Sequence, residues 1–210
     1  YIHGNMYAKS KVNIAIEKSL GELLALQSKQ LDSFMHRQAI RKFEWDPSNI
    51  RWVKKFINLF SGLKKIVITE AINHHEKFVQ KNKRNLKYSV THGDPNDYNI
   101  VVKNHKIVGL IDFGDSIYAP SINDLAIALA YALMKSQNLF DTLHNIISSY
   151  NKINPIRDDE IYSLLGLVKS RLAITLVMAA KQRKKYPDNK YLIISETNAW
   201  DLIFKLNKID

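Results

Sequence analysis

Apolar residues recur at helical spacing early in the chain: Ile14, Ile16, Leu20, Leu23, Leu24 and Leu26 form a mostly continuous stripe. That stripe predicts a helix from a cap at Ser10 to about Leu31. Residues 1–10 have no clear period and residues 32–46 are mixed. Trp45-Asp46-Pro47 reads as a stop followed by a new start, with proline favoured in the first turn, so a helix over 47–60 follows. Gly62 breaks it, and another helix is predicted over 63–81. The period then shortens. Residues 86–91 read as a short strand, and residues 99–103 and 106–112 as two more. Asn104-His105 between the last two is a tight turn, so they form a β-hairpin.

Residues 116–121, with Pro120, read as a loop. INDLAIALAYALMK then predicts a strongly apolar helix to about Lys135, followed by a helix over 140–151 that Pro155 closes off. Asp158 or Asp159 caps a long helix to about Lys185. Its centre, 164–180, is apolar nearly all round and belongs in the interior. Tyr186-Pro187-Asp188 turns the chain into a last helix over 191–206. The fold class is therefore α+β and mostly helical, with a small β-hairpin.

A hairpin returns its two ends to one rim. Asn99 opens the first strand and Asp112 closes the second, so both side chains should emerge beside Asp94 in the preceding loop. Gly93 lets that loop turn sharply, and Pro95 stiffens it. Phosphoryl transfer from a nucleotide needs a divalent cation on the phosphate oxygens and a carboxylate to orient the attacking hydroxyl. Mg²⁺ takes oxygen ligands, usually one or two from the protein. Asn99 offers an amide oxygen and Asp112 a carboxylate, which leaves Asp94 free to act as base. Phe113 reads as an apolar plug beneath that metal site, with plain core packing an equal alternative.

The stretch THGDPNDYNIVVKNHKIVGLIDFGDS, residues 91–116, carries a resemblance. HGDPNDYN resembles the HGDxxxxN catalytic loop of the aminoglycoside phosphotransferase and choline kinase superfamily, and IDFGD resembles its metal-binding segment. The resemblance implies a protein-kinase-like fold with ATP as donor and Mg²⁺ as cofactor. It implies Asp94 as catalytic base, His92 as support of the catalytic loop, and Asn99 and Asp112 as metal ligands toward the nucleotide. Asp124, in the first turn of the apolar helix, reads as helix capping and dipole support. The resemblance adds that an acidic residue there bonds the backbone of the catalytic loop. The tail from Arg171 onward, with IVGLIDFGDSIYAP and DLAIALAYALM, resembles hydroxylysine kinase-like proteins, including those fused to class III aminotransferases. That points to the hydroxyl of a small amino-alcohol or amino acid as acceptor. Homoserine, choline-like and aminoglycoside acceptors remain open. Asp115, Asp97, Glu196 and Asp201 are candidate carboxylates for an acceptor's cation, with surface charge or internal ion pairing as the alternative. Asp115, three residues past Asp112 at the same rim, is the best placed, with a second metal contact as its other reading. Arg171 is a candidate partner for an acceptor's carboxylate.

Composition narrows these readings. The 210 residues suit one domain with a substantial core. The charge of +11, from 31 basic and 20 acidic residues, would suit an anionic partner. The bases are scattered, however. Their densest clusters, 81–87 and 181–185, sit at predicted helix ends where cations meet the dipole and face water. Nucleic acid is thus an unfavoured partner. With no cysteine, disulfides, thiolate metal sites and cysteine catalysis are excluded, in keeping with a reducing cytosol. The longest apolar run, 172–180, falls short of the roughly 20 residues of a membrane span. No Gly-rich phosphate loop or lysine-bearing strand pattern occurs in the first 90 residues. Residues 1–210 therefore read as the carboxy-terminal lobe of a kinase, with its amino-terminal β-lobe to be supplied in cis. The competing reading is a non-catalytic binding module built on a kinase lobe.

Overall fold

The computed structural model describes residues 2–186 and 195–209. The turn expected at Pro187-Asp188 and the first residues of the last helix lie outside them. Two short sheets sit against a helical body. The first has the order β1 (Asn5–Met6), β3 (Ile100–Lys103), β4 (Lys106–Leu110), and the second pairs β2 (Tyr88–Thr91) with β5 (Ile117–Pro120). The helices are α1 (Ile14–Leu31), α2 (Gly62–His74), α3 (Asn123–Met134), α4 (Leu139–Ile153), α5 (Asp158–Lys185) and α6 (Glu196–Leu206). α1 lies along α4, while α3 packs against α1, α4, α5 and α6.

The hairpin of β3 and β4 forms as expected. Asn104 and His105 both have positive φ, 49° and 59°, the mirror-image turn whose twist matches the strands. Val101 pairs with Gly109 and Val102 with Ile107, so Val108 is an extra residue that bulges the second strand. Asp112, left-handed at φ 65°, turns the chain out of the ladder just after β4.

Several boundaries differ from the sequence reading. Asn13, rather than Ser10, caps α1: its side chain accepts from Ile16 N at 3.0 Å, while the Ser10 hydroxyl donates to the Met6 carbonyl. The expected helix over 47–60 begins only at Arg51 and is 3₁₀ to Leu59. The Asp46 carboxylate spends itself instead on the Ser48 N–H and hydroxyl, at 2.8 and 2.7 Å, and on Asn123. The stretch read as a loop around Pro120 is strand β5, antiparallel to β2 with Pro120 opposite Tyr88. Proline is tolerated there because an edge strand's last residue needs no ladder donor. α5 spans Asp158–Lys185, but its cap is Arg157 rather than Asp158 or Asp159, with the Glu160 carboxylate accepting from Arg157 N at 3.0 Å. α5 is also long and apolar enough to cross a membrane, beyond what its longest apolar run suggested, yet 89% of its apolar window is buried inside the fold. Lys181 is not simply solvated: its ammonium lies over the Trp52 and Phe56 rings and 3.5 Å from Glu44.

α2 runs into a π-helical turn, His75–Gln80, that packs on α5. His75 is buried there against Ser170. The Ser170 hydroxyl donates to the Gly166 carbonyl at 2.6 Å, so it accepts from His75 Nδ1 at 3.0 Å. Nε2 then keeps a bare lone pair with no partner. Protonating it would bury an unpaired charge, and burial lowers the imidazole pKa to about 4. The unfolded chain's histidine titrates near 6.5, so below that pH protons bind the unfolded state preferentially. This contribution to stability is complete above pH 6.5 and is lost as pH falls toward 4. Urea unfolding between about pH 7.5 and about pH 5 should show a loss of about 2 kcal/mol attributable to this group. The loss should disappear in His75→Gln; an identical pH dependence in that variant would refute the assignment.

Candidate active site

Strand β2 ends at Thr91 and delivers His92-Gly93-Asp94 to the open end of the hairpin. Gly93 has φ 86°, and a Cβ there would lie 2.1 Å from the Asp115 carbonyl oxygen. Only glycine fits both the backbone conformation and the gap. The loop is held from beneath. Asp124, buried in α3, accepts from His92 N at 2.8 Å and from Gly93 N at 3.0 Å. Gln27 of α1 donates to the same carboxylate at 3.0 Å. Burial raises the Asp124 pKa, and these three N–H donors pull it back. Asp124 is therefore a brace between elements. The cap of α3 falls at Ile122, and no side-chain bond closes it.

His92 is fully buried. Nδ1 accepts from the Asp94 N–H at 3.2 Å, which leaves Nε2 as donor to the Ile111 carbonyl at 3.0 Å. The ring thus ties the loop that carries Asp94 to the end of β4. Phe113 is not the buried plug that the sequence suggested. It is 51% exposed and lies with its ring 4.5 Å from that of His92. The 3₁₀ turn Phe113–Asp115 that follows the left-handed Asp112 carries it outward.

Asp94, Asn99 and Asp112 line one cavity of about 380 Å³. Asp97, Glu196, Trp45, Tyr131 and Thr175 share its wall. The Asn99 Nδ2 donates to the Asp94 carbonyl at 2.9 Å, so its amide oxygen is turned away from that bond. Asp112 accepts only a long 3.4 Å contact from Gly114 N. Those two oxygens are available to a cation. Among the described residues no group of three or more His, Asp or Glu forms a ready-made metal cage. Two protein oxygens with the rest from substrate and water is the donor set that Mg²⁺ takes, so the residues fit that ion.

The remaining expected residues fall in different places. Asp115 sits beside the site rather than in the cavity wall, 3.9 Å from Arg41. Partial burial and the neighbouring Asp94 raise its pKa. Asp97 is in the wall, and its Oδ1 is buried without a partner. Burial raises its pKa against the pull of Lys135. Glu196 is also in the wall but is ion-paired to Arg183 and accepts from Trp200 Nε1 at 3.2 Å. Asp201 is exposed on α6 and does not line the cavity. Arg171 does not line it either. Its guanidinium points at Asp94 itself, 2.5 Å from Oδ1. Asn96 takes the other oxygen, donating to Oδ2 at 2.6 Å. Gln27, Asn96, Trp45 and Tyr131 were not picked out from sequence. Asn96 had a local signal: an Asn two residues past the Asp closes an Asx turn, accepting from Tyr98 N at 2.8 Å.

A profile of the phosphotransferase enzyme family, APH, matches residues 7–144. Hydroxylysine kinase of Mus musculus is 27% identical over 215 residues, covering 95% of this chain and 57% of the relative. Hydroxylysine kinase of Xenopus laevis is 28% identical over 218 residues, covering 95% and 58%. The chain thus spans less than three fifths of the length of these curated relatives. Among solved structures, a microcompartment-associated aminopropanol kinase superposes with TM-score 0.72 at 14% identity, over 99% of this chain and 67% of that one. The amicoumacin kinase hAmiN in complex with AMP-PNP, Ca²⁺ and Ami superposes with TM-score 0.64 at 13% identity, over 99% and 62%. These structures share the kinase-like fold.

Proposed function

Because the chain belongs to the phosphotransferase enzyme family, we propose that its 210 residues are the carboxy-terminal lobe of an ATP- and Mg²⁺-dependent kinase for a small hydroxylated amine. The hydroxyl of an amino-alcohol or of a hydroxylysine-like amino acid is the acceptor. The observation that carries this reading is the single cavity lined by Asp94, Asn99 and Asp112. Residues 91–116 are its catalytic and metal-binding segment. Asp94 orients the acceptor hydroxyl and takes its proton as the oxygen attacks the γ-phosphorus. Asn99 and Asp112 would hold Mg²⁺ against the nucleotide phosphates, where the ion supplies charge neutralisation. His92 and Asp124 keep the loop in place.

The wall supports an amine. Asp97, whose Oδ1 has no partner, adds a carboxylate to those of Asp94 and Asp112, and Trp45 and Tyr131 add aromatic rings, while Glu196 is already paired with Arg183. Carboxylates and ring faces both favour an ammonium group. The relatives named hydroxylysine kinase support the same class.

The test is ADP release by the full-length gene product, with ATP and Mg²⁺, against hydroxylysine, ethanolamine, choline, homoserine and an aminoglycoside. Hydroxylysine or another primary-ammonium alcohol should lead in kcat/KM by about tenfold or more, the equivalent of about 1.4 kcal/mol of acceptor recognition. Nucleotide binding with no turnover of any hydroxylated amine would favour a non-catalytic module instead.

A further inference from the structure

Arg171 stands near the middle of α5, in the most apolar stretch of the chain, and is only 2% exposed. Leu167, Val168, Leu172 and Ile174 around it are all buried. An arginine stays charged at any working pH, so burying one is tolerated only where its charge and donors are met. Here the charge and both terminal nitrogens are met by the site, while Nε is buried without a partner. One Nη2 donates to Asp94 Oδ1 at 2.5 Å and to the Tyr131 hydroxyl at 3.2 Å. Nη1 donates to the Trp45 carbonyl at 3.2 Å. The guanidinium also lies 4.8 Å from the Trp45 ring centroid and 5.5 Å from that of Tyr131. Burial opposes the cation, and Tyr131 and Asp94 more than offset it.

Every one of these partners lines the acceptor cavity, while Arg171 itself does not. It stands behind the wall and fastens three parts of it together. A substrate carboxylate, the partner expected from sequence, would have to displace Asp94 to reach the same nitrogen. We propose that Arg171 is a positioning residue for Asp94. It fixes one carboxylate oxygen while Asn96 fixes the other, so that the remaining lone pairs face the acceptor hydroxyl. Through Trp45 and Tyr131 it sets the distance between that carboxylate and the acceptor's wall. This inference rests on the proposed role of Asp94.

The test compares Arg171→Met, Arg171→Lys and Arg171→Ala in the full-length protein, with Asp94→Asn alone and combined with Arg171→Met. Misplacing a catalytic group by an ångström costs on the order of 10²-fold. Arg171→Met should therefore lower kcat by about 10²-fold, with the affinity for a fluorescent ATP analogue unchanged. Arg171→Lys keeps the charge but loses the planar fork, so its kcat should fall less, by about tenfold. It also keeps the inference testable should the methionine variant not fold. Free guanidinium should restore part of the activity of Arg171→Ala, which a merely structural role would not produce. Added to Asp94→Asn, the methionine substitution should cost no further rate, because the two residues act as one unit. Folded Arg171→Met or Arg171→Lys with kcat within about twofold of the parent would overturn the inference. Normal turnover by Asp94→Asn would instead remove the reading of Asp94 on which it stands.

Discussion

Asp94→Asn will lower kcat by about 10²–10⁴-fold, the usual worth of a positioned general base. Nucleotide affinity should be little changed, because Asn99 and Asp112 are untouched. The substitution also weakens a buried pair. The asparagine retains an oxygen to accept from Arg171, but the buried guanidinium loses its counter-charge, at a cost of about 3–5 kcal/mol. That loss is a large share of the roughly 5–15 kcal/mol that holds a domain folded, so the rate has to be read on the folded fraction. Single-turnover ADP formation, scaled to the folded fraction from circular dichroism, separates the two effects. Normal single-turnover rates in folded Asp94→Asn would exclude it as the base.

Much of this site was legible because it is local. Asn104-His105 announces the hairpin turn, and the hairpin determines that Asn99 and Asp112 meet. His92, Gly93 and Asp94 precede it in one loop. The rest comes from distant segments. Gln27 and Asp124 are separated by 97 residues and meet only because α1 and α3 pack together. Arg171 and Asp94 are 77 residues apart. No local period reports such pairings. One signal was present, nonetheless: a guanidinium among Leu167, Val168, Leu172 and Ile174 must find an internal counter-charge. β5 was hidden for a different reason. Pro120 reads as a breaker, and its tolerance depends on which edge of which sheet it occupies. Phe113 was misplaced because an apolar residue in a motif suggests the core, whereas its orientation is decided by the left-handed turn at Asp112.

The brace beneath the loop gives the second large effect. If Asp124 served only as a first-turn acid of α3, Asp124→Ala would cost about 0.3–1 kcal/mol, the ordinary worth of a charge at a helix dipole. The observed bonds require far more. Removing the carboxylate leaves the N–H groups of His92 and Gly93 buried without acceptors, along with the Gln27 amide. Each of these three orphaned groups costs about 1–3 kcal/mol, so the sum is on the order of 3–9 kcal/mol. For a chain of this size that corresponds to a fall in Tm of about 10 °C or more. Asp94 rides on the released backbone, so kcat should drop by about 10²-fold as the loop loses its register. Gln27→Ala, which removes only the outermost donor, should give a small fraction of both losses. Calorimetry and turnover on the same preparations decide the matter. A Tm within about 2 °C of the parent would mean that His92 and Gly93 have found other acceptors, and that the loop carrying Asp94 is held by its own Asx turn and the His92 ring alone.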